Sequence, residues 1–195
     1  MPKEKIDIEL FKQDQAALDK FLQSWIGEKL NTSGTAYAPD PVNMPMMRHW
    51  VDAFDDRNPV YEDEAVAKQT RFGGRIAPIA MMQTWTFPRP VLQGIGERGG
   101  AAEELDPDTP LGVLDRVGFN GILATNSELE FDRPLREGDE LNSDVVLTAI
   151  SERKKTGLGQ GYFVTWKIEY RDQQDKPVGR QIFRVLKFNP STIGQ

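Results

Sequence analysis

The chain has 195 residues, 24 basic and 30 acidic side chains, a formal charge of −6, no cysteine and one histidine, His49. Without thiols there is no disulfide, cysteine nucleophile or Cys/His zinc site, and imidazole chemistry is restricted to one ring. The scattered basic residues argue against nucleic-acid and anionic-membrane partners. The first residues of the sequence lack the apolar run of a secretory signal and no run of ~18 apolar residues occurs, so we expect one cytoplasmic domain over residues 1–195, without cofactor or bound metal.

The first half of the chain predicts helices. Apolar residues recur at three- and four-residue spacing over residues 11–26, which indicates an amphipathic helix. A second helix begins near Asn43, a good N-cap, and ends before Pro59, because proline disfavours helical geometry at the residue that precedes it. Residues 62–69 predict a short acidic helix, and residues 78–85 predict an apolar helix.

The second half predicts strands. From about residue 93 to 120 a Gly/Pro-rich stretch shows no periodicity, and we interpret it as a long insertion that serves as a lid or partner contact, or is simply mobile. After this insertion the period changes from 3.6 to 2. The predicted strands are residues 123–131, 141–150, 162–170 and 181–188. Helices followed by an antiparallel meander predict an α+β fold in which a helix covers the apolar face of the sheet.

Residues 47–78 carry the most informative pattern. A helix ends in Asp-Asp-Arg-Asn-Pro-Val-Tyr at 55–61, and Arg-Phe-Gly-Gly-Arg-Ile-Ala-Pro follows at 71–78. This pattern resembles the hydratase motif of the MaoC-like (R)-specific enoyl-CoA hydratases and dehydratases, and residues 131–141 resemble the strand-turn-strand passage of that family. The resemblance implies a hot-dog fold, which is a long central helix wrapped by an antiparallel β-sheet.

The catalytic motif of that family is incomplete in this chain. The family motif is Asp-x-Asn-Pro-x-His, and its Asp and His together activate the water that adds to an α,β-unsaturated thioester. Asp56, Asn58 and Pro59 match, but Tyr61 occupies the histidine position. To act as a base at neutral pH, a tyrosine would need its pKa lowered by roughly three units, about 4 kcal/mol. His49 lies about 10 Å earlier along the preceding helix, so we expect it to be structural or exposed.

A second departure concerns the oxyanion site. In this family a backbone N–H at the start of the next helix, from a glycine that follows a histidine, stabilises the oxyanion. Here Ile76, Ala77 and Pro78 stand at that point, and proline has no N–H to donate. We therefore assign no catalytic residue to this chain and interpret Asp56, Asn58 and Tyr61 as a vestigial motif.

Hot-dog hydratases of this family work as pairs of units, of which one can be catalytic while the other accommodates the acyl chain. One unit with a degraded motif predicts the acyl-accommodating subunit of a heteromeric enoyl-CoA hydratase, a heterodimer or heterotetramer with a catalytic MaoC-like partner. Residues 47–50, 83–87, 155–163 and 184–188 resemble the N-terminal MaoC-like domain of the large subunit of steroid side-chain hydratases. That similarity implies a bulky steroid 2-enoyl-CoA substrate and a thiolase-like aldolase as a further partner. The zinc-bearing OB-fold extension of such subunits is expected to be absent here.

Five residues are candidates for ligand contact. Met81, Met82 and Trp85 recur at helical spacing and are predicted to line the acyl tunnel, although such a stripe is also typical of a core. Lys154 and Lys155 precede a glycine-rich turn and are candidates for contact with CoA phosphates, the alternative being an ordinary surface hairpin.

Two other functions remain open on the sequence. The first is a homodimeric hydratase that uses Asp56 as its only base and Tyr61 as a hydrogen-bond donor. The second is a non-catalytic module that binds acyl-CoA or acts as a scaffold, for example by presenting a thiolase-like partner. Turnover without a partner would favour the first alternative, and binding of CoA esters without any catalytic partner would favour the second.

Overall fold

Most of the described helices precede the long antiparallel strands, which begin at Gly121. The computed structural model describes residues 6–31, 34–96 and 105–194. The helices are Ile8–Gln13 (α1), Gln15–Ser24 (α2), Met44–Phe54 (α3), Glu64–Lys68 (α4) and Pro110–Arg116 (α5), and two 3-10 helices span Ile79–Thr86 and Pro190–Thr192. The strands are Ala36–Tyr37 (β1), Gly121–Phe131 (β2), Leu141–Ile150 (β3), Lys154–Thr156 (β4), Gly159–Asp172 (β5) and Pro177–Asn189 (β6).

The six strands of the described residues belong to one antiparallel sheet. Their order is β1-β3-β5-β6-β2, and the short β4 pairs with β5 beside β3. All four predicted strands are present, and β2, β5 and β6 are longer than predicted. Among the described strands β2 pairs with β6 alone, so it forms one edge of the sheet.

The predicted helices are present with altered boundaries. The pattern over residues 11–26 corresponds to two helices that meet at Asp14, whose carboxylate accepts backbone N–H groups at the start of α2. α3 begins at the predicted cap, Asn43, whose side-chain oxygen accepts the N–H of Met46 at 3.0 Å. It ends at Asp55, which adopts the left-handed conformation with φ 50°. The acidic helix, α4, is shorter than predicted because Asp63 rather than Glu62 lies at its start.

Two expectations need correction. The insertion at 93–120 contains α5, capped by the hydroxyl of Thr109, and Val113 and Leu114 of this helix are fully buried. Seven residues are too few to display helical periodicity, so the sequence pattern missed this helix. The apolar segment predicted as a helix at 78–85 is a 3-10 helix, Ile79–Thr86, rather than an α-helix. Residues 97–104 of the insertion lie outside the described part of the chain.

Two buried clusters lie between the helices and one face of the sheet, which we call the inner face. The first cluster packs α2 and α5 against one end of β5, and the second packs α3 and the 3-10 helix Ile79–Thr86 against the other end. The first includes Leu18, Leu22, Val113, Leu114, Tyr162 and Val164, and the second includes Met47, Met81, Met82, Trp85, Tyr170 and Val178. Within the described residues, no helix has both the length and the apolar character needed to cross a membrane.

One buried tyrosine makes the stability sensitive to high pH. Burial raises the pKa of Tyr162 to about 12, and its hydroxyl donates to Asp19 at 2.9 Å. Between pH 10 and 12 Tyr162 loses its proton in the unfolded chain but keeps it in the folded chain, so this residue alone lowers the free energy of unfolding by about 1 kcal/mol at pH 11. Urea unfolding at pH 8 and pH 11 measures this loss, and Tyr162→Phe should reduce it. An equal loss in Tyr162→Phe would contradict the assignment.

Candidate functional site

The loop after α3 brings Asp56, Asn58 and Tyr61 together. Oδ1 of Asp56 accepts the N–H of Asn58 at 3.1 Å, and Oδ1 of Asn58 accepts the N–H of Val60 at 3.2 Å. The carbonyl of Asn58 accepts the N–H of Tyr61 at 3.2 Å. These side-chain bonds to the backbone two residues ahead are Asx turns, which shape a tight loop. Asp56 and Asn58 therefore have a structural role that does not depend on a histidine at the motif.

Tyr61 is half-buried beside a negative charge. Burial raises the pKa of its hydroxyl, the carboxylate of Asp56 raises it further, and a side-chain hydrogen bond with Asn58 offsets only part of this shift. The shift is opposite to the one that a general base requires, so the phenol keeps its proton at neutral pH. At the histidine position of the motif this chain offers a neutral hydrogen-bond donor.

A small third cluster connects this loop to the start of the 3-10 helix Ile79–Thr86. Its buried residues are Val60, Ala67 and Ile76, with Tyr61 and Phe72 packed against them. The next residue, Ala77, donates its N–H to the carbonyl of Leu135 at 2.8 Å, and Pro78 has no N–H. At the position where the resemblance places an oxyanion donor, one backbone N–H is already bonded and the next is missing.

The strand-turn-strand passage between β2 and β3 is fixed to this region by arginines. Arg133 contacts Asp139 at 2.7 Å and Asp172 at 2.9 Å. The hydrogen bond that Arg133 donates to Asp139 raises the pKa of Arg133, so this guanidinium remains charged. Arg136 donates to the carbonyl of Arg75 at 3.1 Å. Arg133 thus fixes the passage to the end of β5, and Arg136 connects it to the segment before the 3-10 helix.

His49 is exposed on α3, so the prediction that it is structural or exposed is confirmed. Lys154 and Lys155 lie on β4, where they are exposed and pair with Gly161 and Gln160 of β5. From there the strand runs about 30 Å to the second cluster, at the usual rise of a β-strand. Contact of these lysines with CoA phosphates stays a prediction. Among the described residues, no group of three or more His, Asp or Glu is placed to hold a metal.

The residues predicted to line an acyl tunnel are buried in the second cluster. Met81 and Met82 are fully buried, and Met82 packs so closely on Gly179 that an added Cβ would lie 2.6 Å from its Sδ. Within the described part of the chain, the indole N–H of Trp85 is buried without a hydrogen-bond acceptor. A small pocket beside Met82 and Leu135 has room for about one water molecule, about 10 Å³. Lining of a tunnel by Met81, Met82 and Trp85 stays a prediction.

The centre of the inner face is only partly covered by helices. Three inner-face residues of β5 are buried, namely Tyr162, Val164 and Tyr170. Between them Trp166 and Ile168 are half-buried, and Phe183 on the neighbouring β6 is half-buried with its ring 5.3 Å from that of Trp166. Ser127 and Leu129 extend this surface to β2, because they pair with Phe183 and Gln181. We call Trp166, Ile168, Phe183, Ser127 and Leu129 the central strip.

Sequence reasoning missed the central strip. The alternation in β5 placed Trp166 and Ile168 on one face with the buried residues, but it contains no information on where the covering helices end. The sequence of β6 contains a further indication. Gln181 is polar, but Phe183 and Val185, which lie on the same face of the strand, are apolar. A polar residue in such a phase indicates a buried hydrogen-bonding role.

Comparison with known proteins identifies the family. Residues 24–181 match the FAS1-like, dehydratase domain region. The chain belongs to the FAS1-like dehydratase family. Over 184 residues it is 39% identical to a probable enoyl-CoA hydratase alpha subunit of Thermomonospora curvata, which covers 91% of this chain and 54% of that relative. Over 155 residues it is 37% identical to the 3-oxo-4,17-pregnadiene-20-carboxyl-CoA hydratase alpha subunit of Mycobacterium tuberculosis, covering 79% of this chain and 47% of that relative.

The chain thus spans about half the length of the curated relatives it matches. Among solved structures, a chain of the ChsH1-ChsH2 complex from Mycobacterium tuberculosis is 34% identical, with a TM-score of 0.70 over 90% of this chain and 91% of that chain. A MaoC-like dehydratase from Rhodospirillum rubrum, 21% identical with a TM-score of 0.53 over 84% and 92% of the two chains, supports the fold alone. The α+β hot-dog fold and the MaoC-like resemblance are confirmed.

Proposed function

We propose that this member of the FAS1-like dehydratase family is the acyl-accommodating, catalytically degraded subunit of a cytoplasmic heteromeric enoyl-CoA hydratase. The complex would add water to a bulky, steroid side-chain 2-enoyl-CoA. The observation that carries the proposal is that the motif loop keeps its conformation but lacks the groups for catalysis, namely a base and a free oxyanion donor. Asp56 and Asn58 still shape the loop, but Tyr61 is a neutral phenol and the N–H of Ala77 is bonded within the chain. The catalytic Asp and His would come from a MaoC-like partner.

The edge strand β2 supports the inference of a partner. It has 11 residues, and Ile122, Leu123 and Phe131 are 55%, 48% and 42% exposed. A long edge with exposed apolar side chains is a template for pairing with another chain unless it is covered. We infer that the catalytic subunit pairs along β2, which would join the two sheets and place its motif beside the central strip.

The shape of the central strip favours a substrate with a bulky acyl group. The partly exposed rings of Trp166 and Phe183, inclined at 51° to each other, offer an apolar floor, and the strip opens at the edge strand where the partner would join. Rigid fused rings suit such a surface, because they bury a large apolar area with little loss of conformational entropy. The relative from Mycobacterium tuberculosis is named for a steroid carboxyl-CoA, which supports the same class here. A thiolase-like aldolase as further partner rests on the resemblance alone.

Co-expression with a MaoC-like partner that carries Asp-x-Asn-Pro-x-His tests the proposal. We expect the two chains to co-purify and to hydrate a 3-oxo-pregnadiene carboxyl-CoA with a kcat/KM at least about tenfold above that for crotonyl-CoA. Failure to form a complex would refute the heteromer, and a preference for crotonyl-CoA would refute the steroid class.

A matched pair of variants tests the docking edge. Leu123→Lys places a charge on β2 and should weaken the complex about tenfold or more. Leu158→Lys changes a residue of similar exposure at the β4–β5 turn and should leave the affinity unchanged. Both affinities are measured by titration of one purified chain with the other. Equal effects of the two substitutions would contradict pairing along β2.

A further inference from the structure

A buried polar network crosses the inner face beside the central strip. The hydroxyl of Tyr170 donates to Oε1 of Gln181 at 2.9 Å. Nε2 of Gln181 donates to Oε1 of Gln83 at 3.2 Å and to Oγ of Ser127 at 2.8 Å. Gln181 is 0% exposed, so this amide has no access to water. The network links β5, β6 and β2 to the 3-10 helix Ile79–Thr86.

The buried members set the direction of every hydrogen bond in this network. Burial raises the pKa of Tyr170, so its hydroxyl keeps its proton and donates it to Gln181. The amide of Gln181 must then present its oxygen to Tyr170 and its two N–H groups to Gln83 and Ser127. Both of these residues therefore act as acceptors toward Gln181, and the amide N–H groups of Gln83 and the hydroxyl proton of Ser127 remain for another acceptor.

The position of these two donors connects them with the acyl site. Gln83 is half-buried and Ser127 is exposed, and no acceptor for either donor occurs among residues 6–31, 34–96 and 105–194. Because both oxygens contact one nitrogen of Gln181, the two side chains are held within a few ångströms of each other. Ser127 belongs to the central strip, whose other members are Trp166, Ile168, Phe183 and Leu129. The two hydrogen-bond donors thus lie beside the apolar side chains of the central strip.

We propose that Gln83 and Ser127 form a subsite that binds a carbonyl oxygen carried by the ring system of the acyl group. The inference rests on the proposed function, because it names a specificity determinant of the same acyl site. A carbonyl oxygen has two lone pairs and no proton, so it can accept from both donors at once. A few placed donors in an apolar surface are how binding sites fix the orientation of a hydrocarbon ligand. Gln181 and Tyr170 are positioning residues, because they act through Gln83 and Ser127.

The test compares two saturated CoA esters, a 3-oxo steroid carboxyl-CoA and the same ring system without the ketone. The assembled complex is titrated with each ester by calorimetry, and we expect the keto ester to bind about tenfold more tightly, as one or two hydrogen bonds allow. Gln83→Glu keeps an oxygen acceptor for Gln181 and removes the N–H donors. It should abolish the preference while the affinity for the deoxo ester changes less than about threefold.

Further variants separate this subsite from a general structural effect. Ser127→Ala should also reduce the preference, and Ser127→Thr, which restores a hydroxyl, should recover it. Glu128→Gln is the matched control, because Glu128 is the exposed neighbour of Ser127 on the opposite face of β2 and should leave the preference unchanged. Thermal unfolding of each complex shows whether a variant is folded.

The outcomes that overturn the subsite differ from those that overturn the proposed function. Equal affinities of the original complex for the two esters would overturn the subsite, even if both ring systems were hydrated. Weaker assembly in Gln83→Glu and Ser127→Ala with an unchanged ester preference would also overturn it, because the donors would then bind the partner's backbone. Since saturated esters measure binding alone, a complex without hydratase turnover still tests the subsite.

Discussion

The assembled hydratase is expected to lose about 10²- to 10⁴-fold in kcat when the histidine of the partner's Asp-x-Asn-Pro-x-His motif is changed to alanine. Tyr61→Phe in this chain should leave kcat within about threefold, because a phenol with a raised pKa keeps its proton and cannot be the base that activates the water. Burial and the charge of Asp56 both raise the pKa of Tyr61, so in the proposed complex we expect the partner's imidazole to be the group that titrates near neutral pH. Steady-state hydration at saturating enoyl-CoA measures both effects.

The reciprocal substitution is the control. Tyr61→His supplies an imidazole, yet the isolated chain should remain without measurable turnover. The N–H of Ala77 would still be bonded to Leu135 and Pro78 would still have none, so the thioester oxyanion would lack its donor. Turnover by the isolated original chain that Asp56→Asn abolishes would contradict this account and establish the homodimeric alternative.

Removal of the Asp115 carboxylate is expected to lower the free energy of unfolding by about 3 kcal/mol. The side chain of Lys187 is 2% exposed on β6, and its ammonium pairs with Asp115 of α5, whose side chain is 35% exposed. Without its partner the ammonium stays in the core as an uncompensated charge. Because Asp115 is partly exposed, we expect a loss of stability at the lower end of the range for breaking a buried ion pair. Urea unfolding of Asp115→Ala measures the change.

Two further variants show whether the unpaired charge is the cause. Asp115→Ala combined with Lys187→Met should recover most of the lost stability, because the core then contains no charge and the side-chain volume is similar. Asp108→Ala removes an exposed carboxylate that lies 3.9 Å from Arg116 of α5. It should lower the free energy of unfolding by less than about 0.5 kcal/mol. Similar losses in Asp115→Ala and Asp108→Ala would contradict a buried ion pair.

The predictions that succeeded are those that depend on short-range patterns. The alternation at residues 162–170 predicted β5, and Asn43 capped α3 as its side chain allows. The predictions that failed needed information from distant segments. α5 is too short to be periodic, and its burial depends on the first cluster rather than on its own sequence. The segment at 78–85 is apolar as predicted, but the sequence contained no sign that it would form a 3-10 helix.

For the candidate site, the chemical groups that are present can be read from the sequence alone. The one histidine lies on α3, and Tyr61 stands at the histidine position of the motif. How these groups are used depends on the tertiary structure. Leu135 takes the N–H of Ala77, Asp56 raises the pKa of Tyr61, and Gln181 orients two donors beside a strip that the helices leave half covered. The reason is that burial and the choice of hydrogen-bond partner depend on segments that are distant in sequence and meet only in the fold.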